Sequence, residues 1–206
     1  MKCPKCGSRK TVPILHGMPA FDEELDRKLK NREMVLGGCC ITGADPQYHC
    51  FGCGKDIGTP PILISRRGKE DFREIVTSVE FSYESFCKLP TIISVRKTDE
   101  GRIRLKAFSP EGHIQREAAT AEWEKLLTTL YCKLYLHEWK KKYENPLLVL
   151  DGEDWSLELK LTDGRVRNYR GMNAFPPYWK ELKKAFLPFL KGAQSFPDSP
   201  SGGTAD

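Results

Sequence analysis

Hydrophobic residues recur along this chain at two periods, and the switches between them outline its elements. Trp155, Leu157, Leu159 and Leu161 alternate strictly with Ser156, Glu158 and Lys160, which predicts a strand with one buried face. Thr162-Asp163-Gly164-Arg165 then turns the chain into a second strand around Val166 to Tyr169. An earlier hairpin has the same logic. Thr91 to Thr98 and Arg102 to Phe108 are β-rich runs around a turn containing Asp99 and Gly101, and Ile103, Leu105 and Ala107 alternate with Arg102, Arg104 and Lys106.

The helical period takes over elsewhere. After a break at Ser109-Pro110-Glu111-Gly112, the residues Trp123, Leu126, Leu127, Leu130 and Leu134 share one face, which predicts a helix capped by Thr120, running to about residue 142 and ended by Asn145-Pro146. A final helix carries Trp179, Leu182, Phe186 and Leu190, with Pro188 straining its last turn. Between Asp71 and Phe86 the apolar positions fit neither period; a helix leading into a strand is one solution. Two hairpins each followed by a helix pack economically as a four-stranded antiparallel sheet with both helices on one face.

Near the N-terminus Phe21, Leu25 and Leu29 recur at helical spacing, supported by Glu23 to Arg27, Glu24 to Lys28 and Asp26 to Lys30. With Pro19 before it and Gly37-Gly38 after it, this predicts a helix over residues 21–34. The helix lies between two matched knuckles, Cys3-Pro4-Lys5-Cys6-Gly7 and Cys50-Phe51-Gly52-Cys53-Gly54. Each offers two thiolates from one tight turn, and each is followed by a glycine that permits a left-handed backbone. Together Cys3, Cys6, Cys50 and Cys53 specify a four-sulfur site for one structural Zn²⁺. Such a closed site holds a fold together and leaves no open position for substrate. A redox Cys-x-x-Cys is the weighed alternative.

The fold class is therefore α+β: a small zinc ribbon with an inserted helix (1–58), a linker (59–70), an antiparallel-sheet domain with two or three helices (71–191), and a Ser/Gly/Pro-rich tail (192–206) expected to be disordered. The 39% hydrophobic and 30% charged residues suit an ordinary globular core. No apolar run approaches the length of about 20 residues that a membrane helix needs, and metal ligands stand where a leader would carry its hydrophobic stretch. Eight cysteines without an obvious disulfide framework suit a reducing compartment, so the expected location is cytoplasmic. The formal charge of +5 drops to about +3 once four thiolates hold a divalent ion, too little to mark a nucleic-acid binder.

Other chemistry is sparse. Cys39 and Cys40 are adjacent, a poor geometry for chelating one ion; one packed and one exposed thiol is the plain reading, and redox sensing beside the metal the sharper one. His49 adjoins a ligand but is expected on the surface; His16, His113 and His137 have no paired acids or cysteines. Asp151, Glu153 and Asp154 are explained by turn chemistry. No phosphate loop, Ser-His-Asp order or His-Glu-x-x-His helix occurs. Two surfaces remain. The run from Tyr169 through Asn173, Phe175 and Tyr178 to Trp179 could line a groove for a partner, or it could be a rigid connection whose rings fill the core. Arg96, Lys97, Arg102, Arg104 and Lys106 form a positive strip that could meet nucleic acid, or simply a solvated sheet face.

The Cys-Pro-x-Cys-Gly knuckle, Pro13-Ile14, Gly17-x-Pro19, the charged helix, Leu36-Gly37-Gly38-Cys39 and the closing Cys50-x-x-Cys53-Gly54 resemble small bacterial zinc-ribbon proteins of uncharacterised function. The segment Asp151-Gly152-x-x-Trp155-x-Leu157, Asp163-Gly164 and Tyr169-x-Gly171-x-Asn173-Ala174-x-Pro176-Pro177-x-Trp179 resembles the C-terminal part of another uncharacterised bacterial α+β domain. The resemblance implies zinc and a fold, without a reaction. The expectation is an interaction module that binds a protein partner, with nucleic acid on the basic hairpin as one alternative and an enzyme pocket in the second domain as another. Oligomeric state is left open.

Overall fold

A computed structural model of the chain describes residues 1–41, 45–60, 62–65, 68–145 and 152–192. The N-terminal unit is a four-stranded sheet ordered β2-β1-β3-β4, built from β1 (Thr11–Leu15), β2 (Val35–Leu36), β3 (Tyr48–Cys50) and β4 (Lys55–Ile57). The helix α1 (Glu23–Lys30) crosses between β1 and β2, which is why these two strands pair parallel while the others run antiparallel.

This helix is shorter than the span its sequence predicts. The carboxylate of Asp22 accepts from the Leu25 N–H at 2.7 Å and starts the helix there, leaving Phe21 outside it. At the other end Asn31 caps it and Arg32 turns left-handed. Glu24–Lys28 and Asp26–Lys30 pair at 2.6 Å each, whereas Arg27 turns to Glu33 at 3.6 Å. Leu25 is the helix's one buried residue.

A hairpin of β5 (Ile62–Ser65) and β6 (Gly68–Asp71) follows, occupying most of the span expected to be a linker and ending one residue beyond it. The one-turn helix α2 (Phe72–Ile75) then leads into β7 (Val76–Ser85), the segment whose period was ambiguous. Next come β8 (Thr91–Lys97), β9 (Ile103–Ser109), β10 (Gly112–Ala118), α3 (Thr120–Thr128), β11 (Lys142–Glu144), β12 (Glu153–Leu161), β13 (Val166–Met172) and α4 (Trp179–Phe186). A seven-stranded sheet results, ordered β10-β9-β8-β7-β12-β13-β11, in place of the expected four strands. Both expected hairpins form, β8 with β9 and β12 with β13, but they do not touch. Strand β7 lies between them, pairing antiparallel with β8 on one side and β12 on the other.

One face of the large sheet is the core. Val79 and Phe81 of β7, Ile93 and Val95 of β8, Leu105 of β9, and Leu157 and Leu159 of β12 are fully buried there. They pack with Leu127 of α3 and with Leu182 and Phe186 of α4 in one continuous cluster. Phe81 stacks on Phe186 at 4.7 Å between ring centres and meets the edge of Trp179 at 5.8 Å.

The long helix expected over 120–142 is broken into pieces, although Trp123, Leu126, Leu127, Leu130 and Leu134 are all buried as its stripe requires. After α3 comes a π turn over Thr129–Lys133, a left-handed Tyr135, a 3₁₀ turn over Leu136–Glu138 and then β11. The Thr129 hydroxyl donates back to the Lys125 carbonyl at 2.7 Å beside its own N–H, and the Leu134 carbonyl accepts from the Trp139 indole N–H at 2.7 Å, an acceptor that a continuing helix would use. Its start is capped one residue earlier than Thr120: the Ala119 N–H donates to Glu122 at 2.9 Å. Pro188 sits at the head of a separate 3₁₀ turn, Leu187–Leu190, where its missing N–H costs little. The expected tail beyond Gly192 lies outside the described residues.

Candidate metal centre

Both knuckles are tight turns closed by their own backbone. The Gly7 N–H donates to the Cys3 carbonyl at 2.9 Å, and the Gly54 N–H to the Cys50 carbonyl at 2.8 Å. Gly7 at φ 78° and Gly54 at φ 67° occupy the left-handed region anticipated for them. Strand register then joins the two turns. Thr11 of β1 stands opposite Cys50 of β3, and the Phe51 N–H donates to the Lys10 carbonyl at 2.9 Å, which brings the turn preceding β1 against the turn following β3.

The sulfurs of Cys3, Cys6, Cys50 and Cys53 lie within 4.8 Å of one another. Cys3 and Cys53 are 3.9 Å apart at sulfur, Cys6 and Cys50 3.7 Å. Four thiolates arranged tetrahedrally with metal–sulfur bonds of about 2.3 Å have edges of about 3.8 Å. A disulfide would need about 2.05 Å; all eight cysteines are free thiols. The donor set and its spacing are thus compatible with a metal ion. Cys3 and Cys50 are fully buried and pack with Ile57, while Cys6 is exposed.

Burial pushes the thiols of Cys3 and Cys53 up. At Cys50 burial acts the same way, but the amide N–H groups of Cys53 and Gly52 and the Cys6 and Cys3 thiols hydrogen-bond to its sulfur and bring it down to about 7. The adjoining His49 takes no part: its Nδ1 pairs with Asp56 at 2.7 Å and its ring meets the Phe51 edge at 5.0 Å. Cys39 and Cys40 are both exposed, where one packed thiol was expected; they lie 3.9 Å apart at sulfur and join no group of metal ligands among the described residues.

The cluster is tied on two sides to segments that flank the large sheet, the connection into α4 and the 3₁₀ turn Leu136–Glu138. The Lys2 ammonium donates to the Pro177 carbonyl, and the Tyr178 hydroxyl donates to the Lys2 carbonyl. Beyond β4, the Gly58 and Thr59 N–H groups donate to one carboxylate oxygen of Glu138 at 2.7 and 3.1 Å, and His137 Nε2 donates to the Thr59 carbonyl at 3.0 Å. Burial holds His137 below its ordinary value. Sequence reasoning missed Glu138: the predicted long helix would have left it one acid among many on a solvated face.

The two surface runs are placed differently. In the first, Tyr169 and Tyr178 are buried, and Trp179 stacks on Phe175 and packs against Trp155 and Phe81. Phe175 is the exposed ring of the run. Asn173 is left-handed at φ 50° and accepts from the Glu153 N–H at 2.8 Å. Gly171 is not left-handed; a Cβ there would stand 2.3 Å from the Ala174 carbonyl oxygen and 2.6 Å from Trp155 Nε1, so close approach requires the glycine. In the second, Arg96, Lys97, Arg102, Arg104 and Lys106 are all exposed. Arg102 pairs with Glu100 and, at 3.4 Å, with Glu117, which also stands opposite Arg104. Lys97, next to Arg96 in β8, leaves by the other face. The strip is shorter and less positive than its sequence suggests. Asp154 is exposed on β12, Glu153 pairs with Lys183 at 3.6 Å, and Asp151 lies outside the described residues.

No protein-family model matches the chain, and no curated protein sequence matches it. No helix among the described residues is long and apolar enough to cross a membrane.

Proposed function

We propose that Cys3, Cys6, Cys50 and Cys53 hold one Zn²⁺, that the N-terminal unit is a zinc ribbon, and that the protein acts by binding a protein partner. The observation that carries the zinc reading is the set of sulfur–sulfur separations, 3.9 and 3.7 Å, which match the edge of a four-thiolate tetrahedron. Zinc is the divalent ion that such a set of soft ligands in this geometry favours. With four thiolates bound, no coordination position is left for a substrate, so the ion's role is to hold the two knuckles together. Eight free thiols fit a reducing compartment and hence the cytoplasm.

A protein partner is favoured over nucleic acid by the surface of the ribbon. Met18, Phe21 and Ile41 are 91, 73 and 70% exposed, apolar side chains suited to contact with another protein. The basic strip, by contrast, is partly neutralised by Glu100 and Glu117.

Elemental analysis of protein purified without chelator tests the zinc reading. One zinc per chain, lost in Cys50→Ser together with protease resistance of residues 1–58, is expected. Absence of zinc from the unsubstituted protein overturns it.

A further inference from the structure

The large sheet has a second face, opposite the core, and part of it is concave. A cavity of about 790 Å³ opens there over β11, β13, β12, β7 and β8, within the size range of small-molecule sites. Strand register lays its floor in rows. Lys142, Arg170, Ser156, Ser82 and Ile92 stand side by side on five successive strands, and the two serine hydroxyls hydrogen-bond to each other at 2.9 Å. In the next row Asp154 is flanked by Met172 and Glu84.

The placement of charge on this floor is costly to the protein alone. Like charges directly opposite each other on paired strands repel. Here Lys142 faces Arg170 and Asp154 faces Glu84, a cationic pair and an anionic pair within one cavity. Of these four, Lys142 is neutralised by Glu144 at 2.5 Å. The guanidinium of Arg170 and the carboxylates of Asp154 and Glu84 have no ion-pair or side-chain hydrogen-bond partner among the described residues. Ile92 and Met172 beside them are 37 and 58% exposed. A free cation, a free anionic pair and bare apolar surface thus converge on one concavity, and local rules broken in this way mark functional sites.

We propose that this cavity binds a small zwitterion with an apolar body: its carboxylate on Arg170, its ammonium between Asp154 and Glu84, and its apolar part on Ile92 and Met172. That chemistry is shared by free apolar amino acids and short apolar peptides. The site is independent of the metal centre, so it stands or falls separately from the zinc reading.

Isothermal titration calorimetry of the zinc-loaded full chain tests it, with L-leucine and L-leucyl-L-leucine as probes. Saturable binding of at least one at millimolar concentration or tighter is expected, and which one binds identifies the source. On the same protein, 4-methylpentanoate, which lacks the ammonium, and 3-methylbutylamine, which lacks the carboxylate, should each bind at least about tenfold more weakly. Arg170→Gln and Glu84→Gln, both at exposed positions, should weaken the zwitterion by a similar factor while zinc content and circular dichroism stay unchanged. The proposal is overturned if neither probe gives saturable heat, if a singly charged analogue binds as well as the zwitterion, or if both variants bind undiminished.

Discussion

The hydroxyl of Tyr178, at the start of the last helix, donates its hydrogen bond to the carbonyl of Lys2, next to Cys3, the first cysteine of the four-sulfur cluster. Residues 176 positions apart are thereby joined, and the Lys2 ammonium lies 5.3 Å from the centre of the same ring. The four-cysteine cluster is in this way braced against the connection that enters α4 as well as closed on itself.

Tyr178→Phe keeps the ring and removes the hydroxyl. A destabilisation of about 1 kcal/mol is expected from the lost hydrogen bond, seen as a lower thermal midpoint with metal content unchanged. An unaltered midpoint would mean that the brace contributes nothing.

Glu138 is the brace on the other side. One carboxylate oxygen accepts from both Gly58 and Thr59, while the other, Oε2, is buried without a partner. Glu138→Gln removes the charge from two charge-assisted bonds and puts an unpaired NH₂ or carbonyl in that buried position. The expected loss is about 1–3 kcal/mol, measured by denaturant unfolding. Limited proteolysis should show the region around residues 58–60 opening first.

Gly171→Ala places a methyl group against the Ala174 carbonyl oxygen, which is backbone, and against the Trp155 indole, whose N–H already donates to that oxygen at 2.9 Å. Neither neighbour can give way without breaking this bond. A loss of about 1–3 kcal/mol is expected, with an altered near-ultraviolet spectrum from Trp155.

Hydrogen bonds from Arg116, then from the Ala119 N–H, hold the Glu122 carboxyl down at about 2. A carboxyl lowered in the folded state stabilises fully above its unfolded value, about 4.3, and loses that contribution as pH falls through its folded value. Glu122→Gln should therefore be less stable than the parent at pH 7 by about 1 kcal/mol, the usual worth of a helix cap. The gap should close progressively below pH 4. A gap that stays constant from pH 7 to pH 3 would show that the carboxylate's charge is not what stabilises the cap.

Local patterns made much of this protein legible without coordinates. The knuckles were readable because two residues between cysteines and a following glycine leave a chain few ways to turn, and the four sulfurs do converge. Both hairpins were readable because Leu157, Leu159 and Leu161, like Ile103, Leu105 and Ala107, repeat at the period of a half-buried strand beside a turn that contains glycine. The buried stripe from Trp123 to Leu134 was readable for the same reason, even though the helix expected to carry it stops at Thr128.

Where elements end and how they are ordered depended on contacts between residues far apart, about which a local period is silent. Strand β7 shows no clean alternation because it begins straight out of α2 and shifts register against β12 near Leu161, yet pairing on both sides makes it the middle of the sheet. Strand β10 offers little apolar pattern because, as an edge strand, it has one neighbour and buries little beyond Ile114 and Ala118. The aromatic run ending at Trp179 is half core and half surface because α4 packs its rings against Phe81 and Trp155. The cavity's charges come from four strands scattered between residues 84 and 170, and only strand register sets them side by side.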